Sequence, residues 1–211
     1  MKTVLITLLI LTSSWIVQAE DEIKIKITAD LPYLDVRHNG KIVRIMRIQD
    51  PEHRLSNSYA KTSRPCPPFC VHPIKLTDNV QTVGVLELLD FLDNQVKKGK
   101  GALVDARLPQ WYEKGTIPGS VNIPFPILTA GTDNPHTARI LKLLGGKQSK
   151  DGKWNFENAR ELMLYCNGLW CGQSTRAIMA LIKIGYPENK LFWYRGGMQD
   201  WQLLGLTTVI P

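Results

Sequence analysis

LMLYCNGLWCGQSTRA, residues Leu162–Ala177, is the stretch whose reading decides the fold. Glu161–Tyr165 is a short apolar run of the kind that forms a strand buried on both faces. It leads directly into Cys166. Gly168 and Gly172 mark a loop, and from Ser174 to Ile184 the apolar residues Ala177, Ile178, Leu181 and Ile182 recur at helical spacing before Gly185 closes the segment. Strand, cysteine, loop, helix is the local grammar of an α/β sheet. Such sheets bind ligands at the carboxyl ends of their strands, which is where Cys166 falls.

Working outward, the same alternation continues. Val83, Leu86, Leu89, Leu92 and Val96 mark one face of a predicted helix ending at Lys97-Lys98-Gly99. Ala102–Ala106 is a second buried-strand run. Ile140, Leu141 and Leu144 suggest a helix stopped by Gly145-Gly146, and Leu191–Tyr194 reads as a last strand before Gly196-Gly197 and a terminal helix. The predicted architecture over residues 81–211 is a parallel sheet with helices on both faces.

The loop after Cys166 suits nucleophilic chemistry. Backbone N–H groups of Asn167, Gly168, Leu169, Trp170, Cys171, Gly172 and Gln173 can curl around the sulfur, and the start of the following helix adds partial positive charge. Both favour a thiolate, which is the attacking form of cysteine. Ser174 is the expected N-cap of that helix. The competing interpretation is a cysteine that merely packs at a strand end.

Four segments carry a family resemblance. LVDAR at Leu103–Arg107, GTIPGSVNIP at Gly115–Pro124, GY at Gly185-Tyr186 and YRGGMQDW at Tyr194–Trp201 stand in the order seen in the rhodanese (sulfurtransferase) superfamily, which the chain resembles over about residues 82–208. The resemblance implies a five-stranded parallel core and Cys166 as the persulfide-forming residue. It also implies that Asp105 and Arg107 brace the active-site loop or face its pocket. The loop departs from the commonest pattern of that family. It runs Cys-x4-Cys-x2-Ser, two residues longer, with Cys171 where a basic residue is usual and no Arg or Lys before Arg176. An anionic donor would then lean on backbone N–H groups, and Trp170 offers an apolar wall. Asn167 to Ser174, Asp105 and Arg107 are accordingly the candidate substrate-binding residues.

The remaining cysteines leave alternatives open. Cys171 can resolve a persulfide on Cys166 or can be a small loop residue with no redox part. Cys66 and Cys70, in RPCPPFCVH at Arg64–His72, can form a local disulfide, a redox pair facing the Cys166 loop, or, with His72, a copper(I) site, preferred in that order. No cofactor is expected. His38, His53 and His136 are expected at the surface.

Met1–Ala19, MKTVLITLLILTSSWIVQA, reads as a signal peptide cut after Ala19, which places the mature protein in a periplasm or outside the cell, without stable membrane insertion. Residues 20–80 form a β-rich annex. Ile23, Ile25 and Ile27 alternate as in a strand, and Tyr33–Arg37 and Lys41–Ile48 flank a His38-Asn39-Gly40 hairpin turn. Ser56–Phe69 is polar and proline-rich. The chain holds 26 Lys+Arg against 19 Asp+Glu, a net charge of +7 over 211 residues. Acids are interspersed with the bases, so no nucleic-acid patch is expected. The expected partners are a small sulfur-containing donor and a thiol or protein acceptor. A non-catalytic or thiol-redox partner-binding module of the cell envelope is the alternative.

Overall fold

The computed structural model describes residues 23–211; the leader read over Met1–Ala19 lies outside the described residues. In chain order the elements are β1 (Tyr33–His38), β2 (Lys41–Met46), β3 (Gln81–Val83), α1 (Val85–Phe91), β4 (Gly101–Asp105), α2 (Pro109–Tyr112), β5 (Ser120–Asn122), α3 (Phe125–Thr129), α4 (Pro135–Leu143), β6 (Lys147–Gln148), β7 (Trp154–Asn155), β8 (Glu161–Tyr165), α5 (Gln173–Lys183), β9 (Leu191–Tyr194) and α6 (Gly197–Leu203). A π-helical turn, Leu92–Val96, extends α1.

Strands β3, β9, β8, β4 and β5 pair in that order into one sheet, parallel throughout. The strand that ends at Cys166 is therefore the centre of the sheet, and it is buried on both faces. Alternation inside these apolar runs divides the core in two. Ala102, Val104, Leu162, Leu164, Leu191 and Trp193 point to one layer, where α3, α4 and α5 supply Leu128, Leu141, Ala177, Ile178 and Leu181. Leu103, Met163, Tyr165 and Tyr194 point to the other, against Leu88, Leu89 and Phe91 of α1 and Met198 and Trp201 of α6. This is the α/β sheet covered on both faces that the sequence predicts.

The expected hairpin β1–β2 forms, with His38 paired to Lys41 at the end of β1, and its turn residues Asn39 and Gly40 both take positive φ, 47° and 80°. Val36 and Ile45 sink into the second layer beside α1 and α6. A fully buried Ile45 contributes about 2 kcal/mol, whereas the half-exposed Asp35–Arg44 ion pair of the hairpin is worth under about 1 kcal/mol. Apolar docking therefore holds the hairpin. The chain's last segment adds to this: Ile48 N–H donates to Gly205 O at 2.7 Å, and Thr207 N–H to Met46 O at 3.1 Å.

Four local expectations need correction. Ile23–Ile27 is not a strand. Instead the Gln49 amide takes the backbone N–H groups of Lys24 and Ile25 and donates to Ile25 O, so one side chain does the work of a strand partner. Val83 belongs to β3, and α1 starts after Gly84. Ser174 is not an N-cap: α5 begins one residue earlier, at Gln173, with Gly172 at the cap. His38 is buried, its Nδ1 accepting from Gly119 N–H at 3.2 Å, because the hairpin packs this residue under the Gly119 turn. Among the described residues no helix is long and apolar enough to cross a membrane.

Candidate active site

Two braces shape the loop from Cys166 to Gln173. At its start, the amino end of α6 meets the end of β8: Met198 N–H donates to Cys166 O and Gln199 N–H to Asn167 O, each at 3.0 Å. This close approach requires glycine at position 197, where φ is +58° and a Cβ would collide with Cys166 O and Gly168 N. Within the loop, Cys171 N–H closes back onto Gly168 O at 2.9 Å.

The Cys166 sulfur is almost fully buried, yet its surroundings are polar. Ser174 Oγ donates to it at 3.1 Å, and Trp193 Nε1 donates to that hydroxyl at 3.1 Å, which turns the Ser174 proton toward the sulfur. Burial pushes the thiol up. Hydrogen bonds from the Cys171 thiol, the Ser174 hydroxyl and the backbone N–H groups of Ser174 and Gly168 outweigh it and hold Cys166 below the ordinary thiol range. A protonated Cys166 donates to Cys171 O at 2.9 Å instead, a contact that opposes the thiolate without cancelling the donors. Burial and the adjoining Cys166 sulfur push Cys171 the other way, well above the usual value. The surroundings thus favour the thiolate on Cys166 and the thiol on Cys171.

A cleft of about 600 Å³ opens beside this pair. Asn167, Trp170, Cys171, Gly172 and Gln173 line one wall, together with Arg176 of α5. Cys166 and Ser174 lie one layer behind it, with Cys171 in front. Gly168 and the exposed Leu169 are not on the wall. Although the loop itself carries no cation, Arg176 supplies one to the same space. His72 faces the cleft too, and burial followed by the nearby Arg195 and Arg176 lowers its pKa, which favours the uncharged imidazole.

The opposite wall comes from the annex: Pro67, Pro68, Phe69, Cys70 and His72. This strap is tied to the loop at several points. His72 N–H donates to Leu169 O at 3.0 Å, and the Phe69 ring packs edge-on against Trp170 with centroids 5.1 Å apart. Arg64 stacks over Trp170 at 4.5 Å. Arg195, at the end of β9, holds His72 O and Pro73 O at 2.6 and 3.0 Å. Cys66 and Cys70 form a disulfide, Cα–Cα 4.7 Å, so the oxidised pair has no thiolate to offer copper(I).

Asp105 and Arg107 lie behind the loop and do not line the cleft. Arg107 grips Asp105 through Nε and Nη2, donates to Gly115 O, and donates to Tyr59 Oη at 3.0 Å. Tyr59 in turn donates to Asn167 Oδ1 at 2.7 Å. Burial pushes the Tyr59 phenol up to about 12, so it remains a donor throughout the neutral range. The pair therefore reaches the loop through a tyrosine of the annex, a braced arrangement set back from the cleft. Tyr59, Phe69, Gly197 and Gln199, whose Oε1 accepts from Trp170 Nε1 at 3.0 Å, have no place among the site residues that the sequence suggests. Only the glycine pair at 196–197 left a local trace.

Comparison with known proteins follows the same outline. A 108-residue stretch is 29% identical to the HTH-type transcriptional regulator Rv0324 of Mycobacterium tuberculosis and covers 51% of this chain but 37% of that regulator. The chain thus spans well under half of that relative. Among solved structures, the human single-domain sulfurtransferase TSTD1 is 22% identical, covering 59% of this chain and 96% of that one, with a TM-score of 0.42. The thiosulfate sulfurtransferase of Pseudomonas aeruginosa is 18% identical over 62% of this chain and 20% of its own, with a TM-score of 0.40. The rhodanese-like domain family matches residues 88–204, from within α1 to just past α6 and so across the whole cysteine loop, and this chain belongs to that family.

Proposed function

We propose that this chain is an exported sulfurtransferase in which Cys166 takes a sulfane sulfur from a small donor, holds it as a persulfide, and passes it to a thiol acceptor. The observation that carries the proposal is the set of donors around Cys166 Sγ, which favours the thiolate at the end of the central strand. That thiolate attacks the sulfane sulfur of the donor. The new Sγ–S bond forms as the donor's S–S bond breaks, and the donor leaves as its thiolate or sulfite. An acceptor thiolate then attacks the same sulfur, and Cys166 leaves as the stabilised anion, a better leaving group for the reason that makes it a nucleophile.

The cleft favours one kind of donor. Phe69, Trp111, Phe125 and Trp170 give it an apolar lining, and Arg176 gives it a single cationic edge. This suits an organic sulfur donor that carries an anionic group better than a small bare dianion. Export is supported by the Met1–Ala19 pattern and by the Cys66–Cys70 disulfide, which persists in oxidising compartments.

Mass spectrometry after polysulfide exposure tests the chemistry: one added sulfur atom on Cys166 is expected, and none at that position in Cys166→Ser. Retained turnover in Cys166→Ser would overturn the proposal. Amino-terminal sequencing of the protein from its native host tests export, with Glu20 the expected first residue and an intact Met1 the contrary result.

A further inference from the structure

Two cysteine pairs in different oxidation states each bring one member to the cleft. Cys66 and Cys70 are joined, whereas Cys166 and Cys171 are free. Cys70 and Cys171, one from each pair, line the same space from opposite walls. The strap that carries the disulfide is fastened to the loop before, within and after it, through Arg64 on Trp170, Phe69 on Trp170 and His72 on Leu169. Such fastening exceeds what a local staple in a polar, proline-rich segment requires.

We propose that the Cys66/Cys70 pair is the internal electron donor that resets the Cys166/Cys171 pair, by thiol–disulfide exchange across the cleft. The proposal rests on the sulfur-transfer reading only for the source of the oxidised loop. There, the Cys171 thiol passes its proton to the outer sulfur of the persulfide and attacks Cys166 Sγ; an Sγ–Sγ bond forms, the Sγ–sulfane bond breaks, and hydrosulfide leaves. The reduced strap then acts. Cys70 thiolate attacks Cys171 Sγ, which faces the cleft, and Cys166 departs as its thiolate. Cys66 thiolate next attacks Cys70 Sγ and releases Cys171. Two electrons pass from strap to loop; of the two protons lost by Cys66 and Cys70, one ends on Cys171 and the other goes to Cys166 or, where that sulfur stays a thiolate, to solvent. The product is the state found here: strap oxidised, loop reduced. An external dithiol reductant returns the strap to its starting state.

The direction follows from the surroundings of the two pairs. Donors that favour the Cys166 thiolate favour the reduced loop, which makes its disulfide the stronger oxidant. Cys171 is the sulfur the strap meets first, because it lines the cleft wall and Cys166 lies one layer behind it.

The test uses the full chain, reduced with dithiothreitol, desalted, and treated with one equivalent of diamide in the absence of any sulfur donor. Timed samples are quenched in acid, alkylated and mapped by mass spectrometry. Any Cys166–Cys171 linkage should decay into Cys66–Cys70 at a rate independent of protein concentration. At equilibrium the strap linkage should exceed the loop linkage by about tenfold or more, equivalent to about 30 mV between the pairs. In Cys66→Ser the exchange should stall, with a Cys70–Cys171 disulfide accumulating that is absent from Cys66→Ser/Cys171→Ser. A loop disulfide that coexists at equilibrium with free Cys66 and Cys70 would overturn the proposal, as would Cys66→Ser protein that yields no Cys70–Cys171 bond. Sulfur transfer is assayed separately with a donor, so a protein that exchanges disulfides but moves no sulfur fails the functional reading alone.

Discussion

The two walls of the cleft are built on different principles. The loop wall grows out of the central strand of the sheet, and its shape is fixed by backbone bonds: Met198 to Cys166, Gln199 to Asn167, Cys171 to Gly168. The strap wall has no strand or helix between the turn at Ser58–Ala60 and β3 at Gln81, and apart from the His72 N–H bond to Leu169 O it is positioned mainly by side chains: Tyr59, Arg64, Phe69 and Arg195. A backbone-built wall tolerates side-chain changes and keeps its geometry. A wall built from side chains loses its position when one of them is removed. Cys166 is housed in the first kind and its cover in the second, which separates the sulfur's surroundings from access to it.

Changes on each wall test this division. Cys166→Ser should reduce sulfur transfer by at least ~1,000-fold while leaving the urea midpoint nearly unchanged, because the wall stands on its backbone. Tyr59→Phe acts across the walls. It strips the hydroxyl that joins Arg107 to Asn167 and should cost about 1–3 kcal/mol, read as a lower urea midpoint at constant slope. A fall in transfer without any stability loss would show that the strap works on the chemistry directly.

A third change probes the thiolate. Because the folded environment lowers the Cys166 pKa, alkylation by iodoacetamide should rise with pH through an inflection below the roughly 8.5 of a free cysteine. Ser174→Ala removes one donor and leaves Trp193 Nε1 unpaired. The inflection should move up by about one unit, with alkylation near neutrality some tenfold slower. The smallest effect is expected at the rim. Arg176→Gln should raise KM for thiosulfate by about threefold and change kcat little, since an exposed cation in water is worth under about 1 kcal/mol. An unchanged KM for every anionic donor would remove Arg176 from the binding surface.

Much of the loop wall was legible in the chain itself. Apolar runs at Ala102–Ala106, Glu161–Tyr165 and Leu191–Tyr194 announce buried strands, and Cys166 follows one of them directly. Where local patterns misled, a long-range partner had intervened. The Ile23–Ile27 alternation yields no strand because Gln49, more than twenty residues away, takes its backbone. Ser174 has the chemistry of an N-cap, but Trp193 and Cys166 engage its hydroxyl instead. Asp105 and Arg107 were identifiable as a pair, and their link to the loop was not, because it passes through Tyr59.

Residue order alone therefore determined the sheet, the hairpin and the position of Cys166, since each depends on hydrophobic period or turn chemistry within about a dozen neighbours. Tertiary structure decided that the annex closes over that cysteine and that Cys171 stands between it and the cleft. Contacts such as Tyr59 to Asn167, 108 residues apart, leave no period in the chain and exist only once the sheet has brought the ends of β8 and β9 to the strap.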